Sequence, residues 1–306
     1  MLGLCKNATL VTRFIRNLRG GSQPILVQAS DGLLYVVKFT NNLQGPNLPF
    51  NESAGSELYR AFGLAVPSWK PLLVTDAFLD QNRDCWMQSQ WGSLRPESGL
   101  CFGSRFLGEE GVRLLEILPG TSFKWVRNRR SFWLAWLIDI CAEHADTRQA
   151  AFIEDAEGWL NAYFIDMGHL FGGPKADLLK NFQVSSYLDS RIYSDISYED
   201  LMDIHKAAFA WDHDQLRQRV QAIPAEWKQA SALNRFDCCL QRLSKSLFLQ
   251  NVLDTIIDAH ERRMERGLGN SRNKRISPAS VLCTGIQGAR FERHPVSSRV
   301  CHPACA

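Results

Sequence analysis

Apolar residues in the first third of the chain come in short β-rich runs. Ile25-Leu26-Val27 and Leu33-Leu34-Tyr35-Val36-Val37-Lys38-Phe39 predict two strands. The Gln28-Ala29-Ser30-Asp31-Gly32 stretch between them predicts a hairpin, because glycine accepts the positive φ of a tight turn. A loop rich in Asn, Gly and Pro follows over residues 41–49. The pattern then changes to a helical period over 51–62, with Asn51 as the expected N-cap and Ala54, Leu58, Ala61 and Phe62 along one face. Gly63 stops that helix and Pro67 prevents a restart. Residues 71–74 and 112–118 read as further strands.

Beyond residue 130 the text is mostly helical. Ser131 is the expected cap of a strongly apolar segment, 132–141, that predicts a buried helix ending near Glu143-His144. A polar turn over 145–149 leads into two short strands, 151–153 and 161–165. Residues 177–266 are predominantly helical, with breaks at Pro224 and near Asp189. The order predicts an α+β protein with a sheet-rich N-lobe over 1–118 and a helical C-lobe over 119–266. Residues 267–306, rich in Ser, Gly, Pro and Arg, predict a loosely ordered tail. A cleft between two lobes is a common place for a ligand.

Composition narrows the class. With 45% hydrophobic and 22% charged residues in 306, the chain is neither disordered, collagen-like nor a disulfide-stapled miniprotein. The net charge of +3 does not nominate nucleic acid, although 267–306 carries a local +5. Nine cysteines, an odd number with no C-x-x-C, together with a start that lacks a secretory pattern, suggest reduced thiols in a cytoplasm. The longest apolar stretch is far shorter than the ~20 residues a bilayer demands, so no membrane association is expected.

Four features could carry chemistry, each with a plainer reading. Arg19-Gly20-Gly21-Ser22-Gln23-Pro24 could bring backbone N–H groups to a phosphate, or be an ordinary turn. Lys38 ends a strand and could hold phosphates if a carboxylate fixed it, or snorkel at an edge. Glu52 and Glu57 are the candidate partners, and helical phase favours Glu57. Asp146, in the turn after the buried helix beside His144 and Arg148, could accept a hydroxyl proton, or cap the turn. Asp166-Met167-Gly168 at a strand end could place a carboxylate on magnesium, or simply turn the chain.

Together these four occur in the order of a protein-kinase-like fold. The Gly20–Pro24 turn with Tyr35-Val36-Val37-Lys38-Phe39 resembles the opening of the HipA-like kinases, as does Asn51-Glu52 followed by Gly63-Leu64 and Val66-Pro67. Phe102-Gly103-Ser104-Arg105, Ala145-Asp146-Thr147-Arg148-Gln149 and Ile223-Pro224-Ala225-Glu226-Trp227 resemble the shorter branch of that family. The similarity spans roughly residues 15 to 230. It implies a bilobal kinase-like fold holding ATP and Mg2+ between the lobes, with Gly20, Gly21, Ser22, Gln23 and Lys38 at the nucleotide. It also implies Glu52, against the helical-phase argument, as the partner of Lys38, Asp146 as the catalytic base, and Asp166 as the principal magnesium ligand.

One position departs from the family. Longer members place a magnesium-binding Asn five residues after the catalytic Asp, where this chain has Ala151; the Gln149 amide oxygen is the candidate substitute. The expected function is an ATP-dependent phosphotransferase acting on a protein Ser or Thr. A nucleotide-binding pseudokinase or protein-binding module, and a small-molecule kinase, are the alternatives. Expected partners are a protein or small-molecule phosphate acceptor and a regulatory protein, without direct nucleic-acid binding. His294, Cys301, His302 and Cys305 lack the usual zinc-finger spacing. The tryptophans at 133, 136, 159, 211 and 227 read as core, and the basic segment 262–275 reads as a solvated helix end.

Overall fold

A computed structural model describes residues 8–108, 112–175, 186–194 and 197–269. Five strands close into a small barrel in the order β1-β2-β3-β7-β4: β1 Thr9–Asn17, β2 Ile25–Ala29, β3 Leu34–Lys38, β4 Trp69–Val74 and β7 Gly99–Arg105. The β2–β3 hairpin turns at Asp31-Gly32, where Gly32 takes φ 80° and the Asp31 carboxylate accepts the Leu33 N–H at 3.1 Å. Barrel closure comes from β4 pairing with β1 in parallel, and β1 bulges twice against β2 to follow the curvature. Val11, Ile25, Val27, Tyr35, Val37, Leu72, Val74 and Cys101 fill the interior. A short helix, α2 (Asp76–Gln81), adds Phe78 and Leu79 to that core, and Thr75 caps it at the Phe78 N–H. The hairpin of β5 (Met87–Ser89) and β6 (Gly92–Leu94) follows.

The helix between β3 and β4, α1, runs Leu48–Ala61 and starts three residues before the expected N-cap. Asn47 occupies the N-cap and Pro49 lies in the first turn, where its missing N–H costs nothing. Asn51 is therefore inside the helix, with its N–H on the Asn47 carbonyl. Every residue from Leu48 to Tyr59 is buried. Phe50, Ala54, Leu58, Tyr59 and Phe62 belong to the same core as the later helices.

Of the strand expected over 112–118 only β8, Leu114–Leu115, forms; it joins β9 (Gln149–Glu154) and β10 (Leu160–Ile165) in a three-stranded antiparallel sheet. The buried helix α3 covers Ser131–Cys141, but Arg130 is its N-cap and Ser131 its first helical residue, with no side-chain cap. Its C-terminus closes with the His144 N–H on the Asp139 carbonyl and Glu143 at φ 51°. Glu143 tolerates that left-handed position while its carboxylate pairs with Arg235 and Arg242. The remaining helices are α4 (Tyr198–Phe209), α5 (His213–Gln221), α6 (Ala230–Leu243) and α7 (Ser246–Gly269). Pro224 and Asp189 each open a 3-10 turn at the expected breaks.

Residues 267–269, expected in the tail, continue α7; the rest of that tail, including the zinc candidates, lies outside the described residues. Trp133, Trp136, Trp211 and Trp227 are core residues, whereas Trp159 is half-buried and packs against Trp125 and Arg127. Among the described residues no helix is long and apolar enough to cross a membrane. The molecule mixes helices and strands as an α+β protein whose barrel comes first in the chain and whose run of helices α4–α7 comes last.

Candidate active site

Lys38 leaves the barrel at the last residue of β3, Glu52 projects from the second turn of α1, and Asp166 stands just past β10. These three distant segments converge. Lys38 is 7% exposed, and its ammonium pairs with Glu52 Oε1 and lies 2.8 Å from Asp166 Oδ1. The Glu52 carboxylate also accepts the Met167 N–H at 3.2 Å and the Gly168 N–H at 2.9 Å. A Cβ at residue 168 would collide with Leu48 and come within 2.9 Å of Glu52 Oε1, so the close approach demands glycine. Asn51 completes the grip, donating to the carbonyls of Gly168 at 2.9 Å and Leu170 at 2.8 Å.

Burial and pairing set the charges. Burial opposes the Lys38 ammonium, yet Asp166 and Glu52 outweigh it and raise its pKa above the ordinary lysine value. For Asp166 burial acts upward, but Lys38 and then His169 hold the carboxyl well below the usual carboxylate range. Glu52 is raised, by burial first and by the charge of Asp166, with Lys38 opposing. Asp166 is thus the strongly ionised acid. Its backbone sits at φ 60°, a left-handed conformation that Asp adopts more readily than most residues. Its other oxygen accepts Gln149 Nε2 at 3.0 Å.

Glu57 is engaged elsewhere. It accepts from Arg60, from Trp69 Nε1 at 2.7 Å and from Arg219 at 3.2 Å, tying α1 to β4 and α5. Helical phase could not separate the two glutamates because α1 has no exposed face over this stretch.

Beneath the junction lies a layer that reading the sequence missed. Arg148, 2% exposed, makes a two-pronged pair with Asp139 at 2.9 and 2.7 Å and donates to the Ile165 carbonyl at 2.9 Å. Tyr59 donates to Asp139 at 2.6 Å and places its ring under the guanidinium. The one available signal was Asp139, a charge inside an apolar helix, which requires a buried partner.

The Gly-rich turn carries Gly20 at φ 135° and Gln23 at φ 47°. Gly20 and Ser22 line a cleft with Lys38, Glu52, Gln149 and Asp166. Its apolar walls include Leu18, Val36, Phe106, Leu114, Ala151 and Ile165, and it holds about 950 Å³ of free space, the part open to solvent included. Gln23 spends both ends of its amide on the Gln88 backbone, at 2.6 and 2.8 Å. Gly21 lies against the Gln44 amide. Asp146 is half-buried, accepts the Thr147 N–H at 2.7 Å and is not among the residues lining the cleft. Its turn is joined to the Asp166 segment by backbone bonds, Ala145 N–H to His169 and Phe171 N–H to Ala142. Among the described residues no three His, Cys, Asp or Glu side chains cluster as a metal site.

No family profile matches the chain, and no curated relative matches it in sequence. Among solved structures it is similar to hydra Fam20 with sugar, at TM-score 0.48 and 13% identity over 85% of this chain and 88% of that one. It is similar to the Helicobacter pylori proinflammatory kinase CtkA at TM-score 0.45 and 14% identity, covering 84% and 96%. A Golgi casein kinase with Mn/ADP bound gives TM-score 0.42 and 13% identity, covering 81% and 73%. Two of these three are kinases by name, and likeness at this level decides neither fold nor chemistry.

Proposed function

We propose that the protein is an ATP-dependent phosphotransferase built on a bilobal kinase-like fold, with the barrel as the main body of the nucleotide lobe. The observation that carries this is the buried junction of Lys38, Glu52 and Asp166 at a cleft that the Gly-rich turn lines. An ammonium held by two carboxylates at the end of a strand suits phosphate oxygens, because its direction is fixed before the ligand arrives. The apolar walls suit a nucleobase. The motif resemblance to HipA-like kinases supports the same reading.

The donor set fits a magnesium–nucleotide complex. Magnesium is commonly held by one or two carboxylates together with substrate phosphates and water, and Asp166 supplies one ionised carboxylate. Bound there, the metal would supply neutralisation of developing charge on the phosphates. Gly20 and Ser22 are the turn residues at the nucleotide. Gly21 and Gln23 support the turn. Asp146 is the proposed base, orienting and deprotonating the acceptor hydroxyl, with a protein Ser or Thr as the proposed acceptor.

Two details favour a pseudokinase as the second reading. The Ala151 side chain brings no oxygen to the cleft, and Gln149 already engages Asp166 through its N–H group. Transfer of label from γ-labelled ATP separates the readings. The wild type is expected to label an acceptor in a cell extract or itself, and Asp146→Asn to lose at least ~100-fold of that rate. Labelling that survives Asp146→Asn would remove Asp146 from catalysis. Nucleotide binding without any labelling would establish the pseudokinase.

A further inference from the structure

The loop between β3 and α1 passes the Gly-rich turn and continues along the chain that follows Asp166. Its polar groups form one connected series. Asn42, 7% exposed, donates to the Ser22 carbonyl at 2.7 Å and accepts the Gln44 N–H at 3.0 Å. The Gln44 amide reaches His169, with 3.3 Å between the two Nε2 atoms. The His169 carbonyl in turn accepts the N–H of Ala145, the residue before Asp146. Gly21 makes the approach possible, since a Cβ there would lie 2.6 Å from Gln44 Nε2. Backbone contacts fix the same loop further on: Asn47 donates to the Pro174 carbonyl at 3.0 Å, and Gly45, at φ 146°, lies against that carbonyl.

One atom in this series is left over. Gln44 Oε1 is buried and has no hydrogen-bond partner. A buried amide oxygen without a donor is destabilising, so this contact is held at a cost to the fold. Neither Gln44 nor His169 is among the residues lining the cleft, so the pair reaches a bound ligand only through the turn and the Asp166 segment that it joins.

We propose that Gln44 and His169 are positioning residues for the phosphate end of the nucleotide, locking the Gly-rich turn onto the segment that carries Asp166. The inference rests on the nucleotide reading above. It makes the pair sensitive to the phosphates of a ligand and indifferent to its nucleoside. Gln44 acts through the turn, and His169 acts through Gln44.

Calorimetric titration of the full chain with magnesium–ATP and with adenosine tests this, using the wild type, Gln44→Ala, His169→Ala and His169→Gln. Gln44→Ala and His169→Ala are expected to weaken ATP binding about tenfold and leave adenosine binding unchanged. His169→Gln, which keeps a polar group facing Gln44, is expected to recover most of the loss. Equal weakening toward both ligands would assign the pair a purely structural role and overturn the inference. So would ATP affinity that none of the variants alters. A wild type that binds neither ligand would overturn the reading of the cleft and the inference with it.

Discussion

Lys38 illustrates how a single residue makes a site out of separate segments. Its ammonium neutralises two carboxylates that burial would otherwise penalise, so Lys38→Met leaves Glu52 and Asp166 facing each other without a counter-charge. Breaking a buried pair in this way costs about 3–5 kcal/mol, and the variant is expected to show that loss in urea denaturation together with loss of ATP binding. Gly168→Ala acts by shape instead: the added methyl meets Leu48 and Glu52, with an expected cost of about 1–3 kcal/mol and weaker ATP binding. Lys38 and the Asp-x-Gly turn were legible because strand runs and glycine signals are local. The choice between Glu52 and Glu57 was not, since amphipathic phase distinguishes residues only when a helix has a wet side. Asn51 was misread as a cap for a related reason. Its side chain bonds to Gly168 and Leu170, more than a hundred positions away, and no local pattern reports that.

At the scale of elements, α1, α3, the turn after α3 and the end of β10 meet through Tyr59, Asp139, Arg148 and the Ile165 carbonyl. The pair is almost fully buried, so Arg148→Met alone strands a buried carboxylate and is expected to lose about 3–5 kcal/mol. The double variant Asp139→Leu/Arg148→Met removes both charges and is expected to regain most of that stability. It should still transfer phosphate slowly, because the guanidinium no longer holds the carbonyls beside Asp166. Full stability with full activity would reduce the pair to packing. The β2–β3 hairpin, α1, α3 and the β9–β10 pair were readable from their periods, whereas β1 and β7, two of the five barrel strands, and α2 were not. The expected strand over 112–118 shrank to two residues, since only Leu114 and Leu115 pair with β9, and Ile117 stands exposed.

For the whole molecule, acid stability follows from carboxylates whose pKa values lie below their ordinary value near 3.8. Lys38 holds Asp166 down against burial, Arg95 holds Asp76 down, and Arg191 holds Asp189 down. Each contributes stability that is present above that value and lost as pH falls through the lowered one, while Glu52, raised, works in the opposite sense. Burial, with Arg148 beside it, holds the His144 imidazole well below its ordinary value near 6.5, so below that pH the unfolded chain takes up a proton that the folded one refuses. Thermal melts are therefore expected to be level from about pH 8 to 7, to decline below about pH 6.5 and to fall steeply below about pH 4. Thiol chemistry gives a separate check. Burial pushes Cys101 and Cys141 up to about 12 and Cys85 to about 11, whereas Cys238 is exposed. Among the cysteines of the described residues, peptide mapping after brief alkylation near pH 8 should therefore find Cys238 modified and these three intact. The complete burial of α1 over twelve residues has a wider consequence. A kinase whose glutamate-bearing helix lies at the surface can be silenced by swinging that helix outward. Here such a swing would tear Phe50, Leu58 and Tyr59 out of the core they share with the later helices, a price close to unfolding. If the cleft serves the function proposed above, a switch would have to leave the Lys38, Glu52 and Asp166 junction assembled and act on the Gly-rich side of the cleft.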